Sequence, residues 1–247
     1  MTEKEILEKL IDLHKVDSLI VKYEDEKNSL LEQIKNLENK IQENQNIFNE
    51  KKNKLNEFMK KRAECELEIK DKQQEIKRKN DQVSMIKTNE AYKALQLEIK
   101  TIEDDIKKIE DNILGIMEEE EKVSRWLKEQ EALLKKEEKE ILAEIENFKT
   151  QINKIEIEIA NETNKRNEKI KNIDKRWLER YERIRAGKRL AMAEIIIKEN
   201  NDGICGGCHF TIRPQAVIEV KKKTTIHTCD NCARIWYVEE VNNKTKV

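Results

Sequence analysis

A mostly α fold is predicted, a long antiparallel coiled-coil helical hairpin followed by a small C-terminal β module, on three observations. Apolar residues recur every seven positions along two long stretches. The register breaks once, near residues 87–90. Four cysteines then fall in two C-x₂-C pairs, Cys205-Gly-Gly-Cys208 and Cys229-Asp-Asn-Cys232, with twenty residues between them. That spacing can bring four thiolates to the corners of one tetrahedron, which makes the β module a candidate zinc ribbon.

Composition fits long helices better than a large globular core. Of 247 residues, 41% are charged, 37% hydrophobic and 4% aromatic, and charged side chains cannot fill a core. The fixed period of the apolar residues argues against disorder. Pro214 is the single proline, and Gly115 is the only glycine in residues 1–186, so little interrupts a helix there. No apolar run approaches the roughly 18–20 residues that cross a bilayer. Met1-Thr2-Glu3-Lys4-Glu5 carries no signal-peptide hydrophobic region. A cytoplasmic protein without membrane contact is expected, where thiols stay reduced and paired cysteines favour metal over disulfide.

The first arm is read from Ile6, Leu13, Ile20, Lys27, Ile34, Ile41, Phe48, Leu55, Arg62, Ile69, Ile76 and Val83, ten of which are apolar. A companion lane holds Val16, Tyr23, Leu30, Leu37, Phe58, Cys65 and Ile86, diluted by Asn44, Lys51, Lys72 and Lys79. This is the a/d pattern of a left-handed coiled coil, with polar seam positions that can fix register. Cys65 lies in the seam and is assigned to packing.

Beyond Val83 that lane reads Glu90, Leu97, Asp104 and Asp111 and can no longer face a partner. A new lane runs through Ile99, Ile106, Ile113, Glu120, Leu127, Leu134, Ile141, Phe148 and Ile155. The break at Lys87-Thr88-Asn89 places the hairpin tip near 87–90, with Thr88 or Asn89 capping the returning helix. A continuous parallel dimer is the alternative, and the change of register favours the hairpin. The hairpin is taken to occupy residues 1–186 and the zinc ribbon residues 187–247.

The base of the hairpin, residues 165–189, is basic, with eleven Lys/Arg against four acidic residues. Ile170, Ile173, Trp177, Tyr181 and Ile184 keep an apolar stripe that would cover the open end, and Gly187 is read as the helix stop. Net charge over the whole chain is −1, but residues 165–247 carry 19 Lys/Arg against 11 Asp/Glu. An anionic partner would therefore be met at this end.

Within the cysteine module, residues 216–220, 224–228 and 235–239 are rich in β-branched and aromatic types and are expected as short strands. Gly206 and Gly207 are expected to supply unusual backbone angles, with Asp230-Asn231 tolerating the second turn. One structural zinc ion on Cys205, Cys208, Cys229 and Cys232 would supply roughly 10–16 kcal/mol to a segment too small to fold on apolar burial alone. Four thiolates on a divalent ion leave a charge of −2, which backbone N–H groups and Arg213 or Arg234 could offset.

Three rival chemistries fit less well. Cys205-Gly-Gly-Cys208-His209 matches the haem-attachment string, which leaves Cys229 and Cys232 unexplained. A redox pair needs a strand–helix context that is missing. A hydrolytic zinc needs an open position that four thiolates would fill. His209 and His227 are read as bystanders. Phosphate-binding, nucleophile-elbow and H-E-x-x-H strings are absent, so no enzyme and no small-molecule substrate is expected.

Lys221-Lys222-Lys223 reads first as a solvated hairpin turn. The sharper reading joins these lysines to Arg180, Arg183, Arg185, Lys188 and Arg189 as a surface for an acidic protein or for nucleic acid. Aromatic-rich RNA-reading strings and a helix-turn-helix signature are both missing, which gives base-specific recognition no support.

The chain resembles the bacterial coiled-coil C4-type zinc-ribbon proteins. One match is Lys87-Thr88-Asn89-Glu90-Ala91-Tyr92-Lys93-Ala94-Leu95-Gln96-Leu97-Glu98-Ile99, against the family's T-x-E-Y-x-A-L-x-x-E-I segment. Others are Tyr181-Glu182-Arg183-Ile184-Arg185 and Cys229-Asp-Asn-Cys232-Ala233-Arg234-Ile235-Trp236-Tyr237, where the family usually ends C-x-x-C-G-R-I-L-Y. Ala233 replaces the glycine and Trp236 the leucine. The resemblance implies a non-enzymatic adaptor. It also implies protein partners such as the enhancer-dependent alternative sigma factor or flagellar and type III secretion components, and RNA as a further ligand.

Overall fold

The computed structural model describes residues 2–83, 86, 88–197 and 202–239. Its elements are α1 (Glu3–Val83), α2 (Asn89–Ile170), α3 (Lys175–Lys188), β1 (Met192–Ile197), β2 (Gly203–Cys205), β3 (Thr211–Ile212), α4 (Pro214–Lys222) and β4 (Ile235–Tyr237). Two units emerge, one holding residues up to Gln33 with those from Asn147 onward, the other Ile34–Glu146. No helix among the described residues is long and apolar enough to cross a membrane.

In the Ile34–Glu146 unit, α1 and α2 run antiparallel. Lys40 pairs with Glu137, Arg62 with Glu120, Lys72 with Asp105 and Lys79 with Glu98, so sequence order reverses between the helices. This is the hairpin, not the parallel dimer. Ile34, Ile99, Ile106, Ile141 and Ile145 are buried along the seam. Phe48 and Trp126 meet with ring centroids 6.5 Å apart, and the Lys51 ammonium lies 5.7 Å from the Trp126 ring. At the start of α2, Thr88 accepts the Ala91 amide on its hydroxyl and the Tyr92 amide on its carbonyl, as a cap should. Lys87, part of the expected tip, lies outside the described residues.

The other unit opens with a reciprocal capping box, in which the Thr2 amide donates to Glu5 Oε2 and the Glu5 amide to Thr2 Oγ1. Ile6, Leu7, Leu10 and Leu13 then bury against Ile173, Tyr181, Ala191, Met192 and Ile235. Fully burying each such leucine contributes about 1.5–3 kcal/mol. Asp174 separates α2 from α3, its Oδ1 accepting the amides of Arg176 and Trp177. Trp177, Ile184 and Tyr181 carry the expected stripe onto this core.

Asp17, 0% exposed, anchors a polar cluster in the same unit. Tyr181 donates its phenol to Oδ2 at 2.7 Å, and Arg166 donates Nε to Oδ1 at 2.7 Å. Arg166 also pairs with Glu182, and Arg185 Nε lies 3.3 Å from Asp17 Oδ1. Burial first, then the Asp17 charge, push the Tyr181 phenol far above its ordinary range. Neither heptad lane contains Asp17, so periodicity alone does not reveal this cluster.

The C-terminal strands form one sheet in the order β3-β2-β1-β4, with β1 parallel to β4 and the other pairs antiparallel. Four local expectations are corrected here. Residues 216–220 are not a strand, because they lie in α4, with Pro214 in its first turn and Val217 and Val220 buried at helical spacing. Lys221 and Lys222 close that helix and Lys223 caps it at φ 54°, so they form no hairpin turn. Of residues 224–228 only Thr228 pairs, through an isolated bridge to Ile235. Gly187 does not stop α3, which runs to Lys188 and ends on Arg189 at φ 65°.

Candidate metal centre

Two matching knuckles build the centre. In the first, the Cys205 amide donates to Phe210 O at 2.9 Å and the His209 amide to Cys205 O at 2.8 Å. In the second, the Cys229 amide donates to Arg234 O at 2.8 Å and the Ala233 amide to Cys229 O at 2.9 Å. Each turn closes on a residue with left-handed backbone, His209 at φ 60° and Ala233 at φ 63°. The expected role of the glycines is corrected accordingly, since no described glycine has positive φ. They serve close approach instead. A Cβ on Gly206 would lie 2.8 Å from the Glu194 carbonyl oxygen, and one on Gly207 2.7 Å from Arg234 Cδ and Nη1.

The four sulfurs lie within 4.8 Å of one another. Cys205 and Cys232 Sγ are 3.8 Å apart, and Cys208 and Cys229 Sγ 3.6 Å. A tetrahedron with Zn–S bonds of about 2.3 Å has edges of about 3.8 Å, so the donor set fits one Zn²⁺. Cys205, Cys229 and Cys232 are buried, and Cys208 is half-buried.

Hydrogen bonds tune the thiols. Burial alone would raise Cys208, but the Phe210 amide, the Asn231 side chain and the neighbouring thiols outweigh it and lower it to about 6. At Cys229 burial wins over the amides of Cys232 and Asn231, and the thiol is raised to about 12. Cys205, Cys208, Cys229 and Cys232 would hold a divalent ion, whose counter-charge would let all four thiols ionise together and tie the two knuckles into one body. The same amides then offset part of the −2 charge. Four cysteine donors would supply the full ligand set of a structural zinc ion.

The other expected residues sit as follows. His209 is exposed, and His227 faces Thr225 and Glu219; neither belongs to the sulfur cluster. Cys65 is half-buried and accepts from Asn112 Nδ2 at 3.7 Å. Arg234 bonds backbone carbonyls near the knuckles, whereas Arg213 is the residue preceding α4.

Of the basic residues, Arg185 faces Asp17 and Glu182, and Arg189 donates to Asp25 at 2.7 Å. Arg180 donates to Thr228 and stacks over Trp177. Arg183, Lys188, Lys221 and Lys222 are exposed, and Lys223 is half-buried.

The fold and this donor set define a coiled-coil hairpin protein with a C4 zinc ribbon. A C4-type zinc ribbon domain matches residues 204–235. Over residues 13–189 the chain matches the CT398-like coiled coil hairpin domain, and it belongs to that family.

Solved structures share the fold. CT398 from Chlamydia trachomatis aligns with a TM-score of 0.80 at 19% identity, over 96% of this chain and 99% of its own. HP0958 from Helicobacter pylori gives 0.70 at 18%, over 97% and 99%. A Mycobacterium smegmatis protein gives 0.63 at 17%, over 95% and 98%. Comparison with the curated proteins returns no match.

Proposed function

We propose that this protein is a non-enzymatic cytoplasmic adaptor that presents its zinc ribbon to a protein partner. The observation that carries the reading is the apolar surface of the ribbon. Ile196, Phe210 and Ile218 are 50%, 48% and 48% exposed on the small C-terminal ribbon. Large apolar side chains left in water on so small a module suit a protein interface. Phosphate recognition would instead call for unpaired cations, yet Arg185 and Arg189 already face carboxyl groups of α1.

The partner class follows from the resemblance: an enhancer-dependent alternative sigma factor, or a flagellar or secretion component, in the control of gene expression. RNA is the second reading, and the exposed Arg183, Lys221 and Lys222 favour it. The test titrates the purified full-length protein against that sigma factor and against a mixed-sequence RNA, at low and moderate salt. Sigma-factor binding that changes little with salt and weakens at least tenfold in Phe210→Asp/Ile218→Asp supports the adaptor. Binding of RNA alone, falling steeply with salt, would replace it with the second reading.

A further inference from the structure

Arg234 touches both cysteine knuckles and the end of α3. Its backbone oxygen accepts the Cys229 amide at 2.8 Å, inside the second knuckle. Its Nη1 donates at 2.8 Å to the carbonyl of Gly207, which lies between Cys205 and Cys208. Nε donates to Leu190 O at 3.1 Å and Nη2 to Lys188 O at 3.2 Å. These last two carbonyls flank Arg189, the residue with positive φ, 65°, that ends α3.

A helix C-terminus presents carbonyls with no intrahelical donor and a negative dipole, and a guanidinium suits both. Arg234 fills that role at the joint between α3 and β1. The joint itself is short, and at its far end the Ile235 amide donates to Ala191 O at 3.0 Å. Gly207 matters to the same geometry, because a Cβ there would meet Arg234 Cδ and Nη1 at 2.7 Å.

We infer that Arg234 is a metal-dependent clamp, so that loading the cysteine site locks the joint between α3 and β1. The first knuckle hangs from β2, whereas Arg234 leads into β4 just after the second. A metal ion that draws Cys205 and Cys208 onto Cys229 and Cys232 brings Gly207 O within reach of the Arg234 fork. With the fork held there, its remaining donors reach Lys188 and Leu190. Metal occupancy thus sets how firmly the ribbon is fixed to α3, whatever partner the ribbon meets.

Lys188 and Arg189 are exposed tryptic sites within this joint, which gives a direct readout. Zinc-loaded wild type, Arg234→Gln and Gly207→Ala, all full length, are treated briefly with trypsin and the first cuts mapped by mass spectrometry. Zinc per chain and the cobalt-substituted tetrathiolate spectrum are recorded alongside. The clamp predicts that both variants keep one metal and the wild-type spectrum, yet are cut after Lys188 or Arg189 at least tenfold faster. Chelation should accelerate the same cut in wild type, and loaded Arg234→Gln should already be cut at a rate approaching that of the chelated wild type. Equal cutting of loaded wild type and Arg234→Gln overturns the inference. So does loss of metal from Arg234→Gln, which would make the arginine a support of the ion and not of the joint.

Discussion

Arg62 and Glu120, the charged interruptions of the two apolar lanes, meet each other across the seam, Nη1 donating to Oε2 at 2.6 Å. Glu120 keeps only 12% of its side chain exposed, and its Oε1 is buried without a partner. Removing the arginine leaves a carboxyl in that environment with nothing to offset it. Arg62→Ala should therefore lower stability by about 1–3 kcal/mol, less than a fully buried pair because Arg62 is partly exposed. Arg62→Leu/Glu120→Leu should recover most of that loss, since an apolar pair suits the lane. Denaturant unfolding followed by far-UV circular dichroism measures both. A double variant as unstable as the single one would show that the ion pair, not its disruption, carries the energy.

The same logic explains what the lanes made legible. Lys72, Lys79 and Asn44 look like flaws in a heptad lane, yet they face Asp105, Glu98 and Glu137. Lys27, in the other unit, faces Glu156. Their partners lie from 19 to 129 residues away on the returning helix, so sequence shows the interruption but not the match. The cysteine spacing was equally readable, because ligand chemistry is local. Residues 216–220 were not, since tertiary packing of Val217 and Val220 overrides β propensity. The Asp17 cluster escaped for a different reason: Arg166, Tyr181 and Arg185 come from helices far along the chain.

Ala233 sits at φ 63°, where the resembling family carries glycine. A left-handed backbone costs an L-residue about 1–2 kcal/mol, partly balanced by the larger unfolded-state freedom of glycine. Ala233→Gly should stabilise the zinc-loaded ribbon by about 0.5–1 kcal/mol. The measurement is metal retention against a graded chelator, with helical content as control. A weaker hold on zinc in the variant would mean that the turn is not strained.

Metal removal should divide the chain's response. A strong chelator is expected to release one zinc per chain and expose four reactive thiols among Cys205, Cys208, Cys229 and Cys232. The helical signal of α1 and α2 should largely persist, because their seams are built from isoleucines and ion pairs. Ribbon amides, by contrast, should lose hydrogen-exchange protection. Cys229→Ser/Cys232→Ser should reproduce the chelated state. A ribbon that stays protected after verified zinc loss would refute the structural role of the ion.

His14 gives a pH dependence with a definite sign. The ring is 5% exposed, its Nδ1 has no hydrogen-bond partner, and it meets the Tyr237 ring edge-on with centroids 5.3 Å apart. Burial lowers its pKa to about 4 from the ordinary 6.5, and the Asp17 charge opposes that only in part. Between these values the unfolded chain binds a proton that the folded chain refuses. Stability must therefore fall as pH drops from 6.5 toward 4, by roughly 2–3 kcal/mol for this group. Acid also loosens thiolate–metal bonds, so the contribution is read as a difference. Wild type and His14→Leu are unfolded in denaturant at matched pH values, and the gap between them should shift toward the leucine variant as pH falls. Parallel curves for the two proteins would show that the folded chain binds the His14 proton as readily as the unfolded chain does.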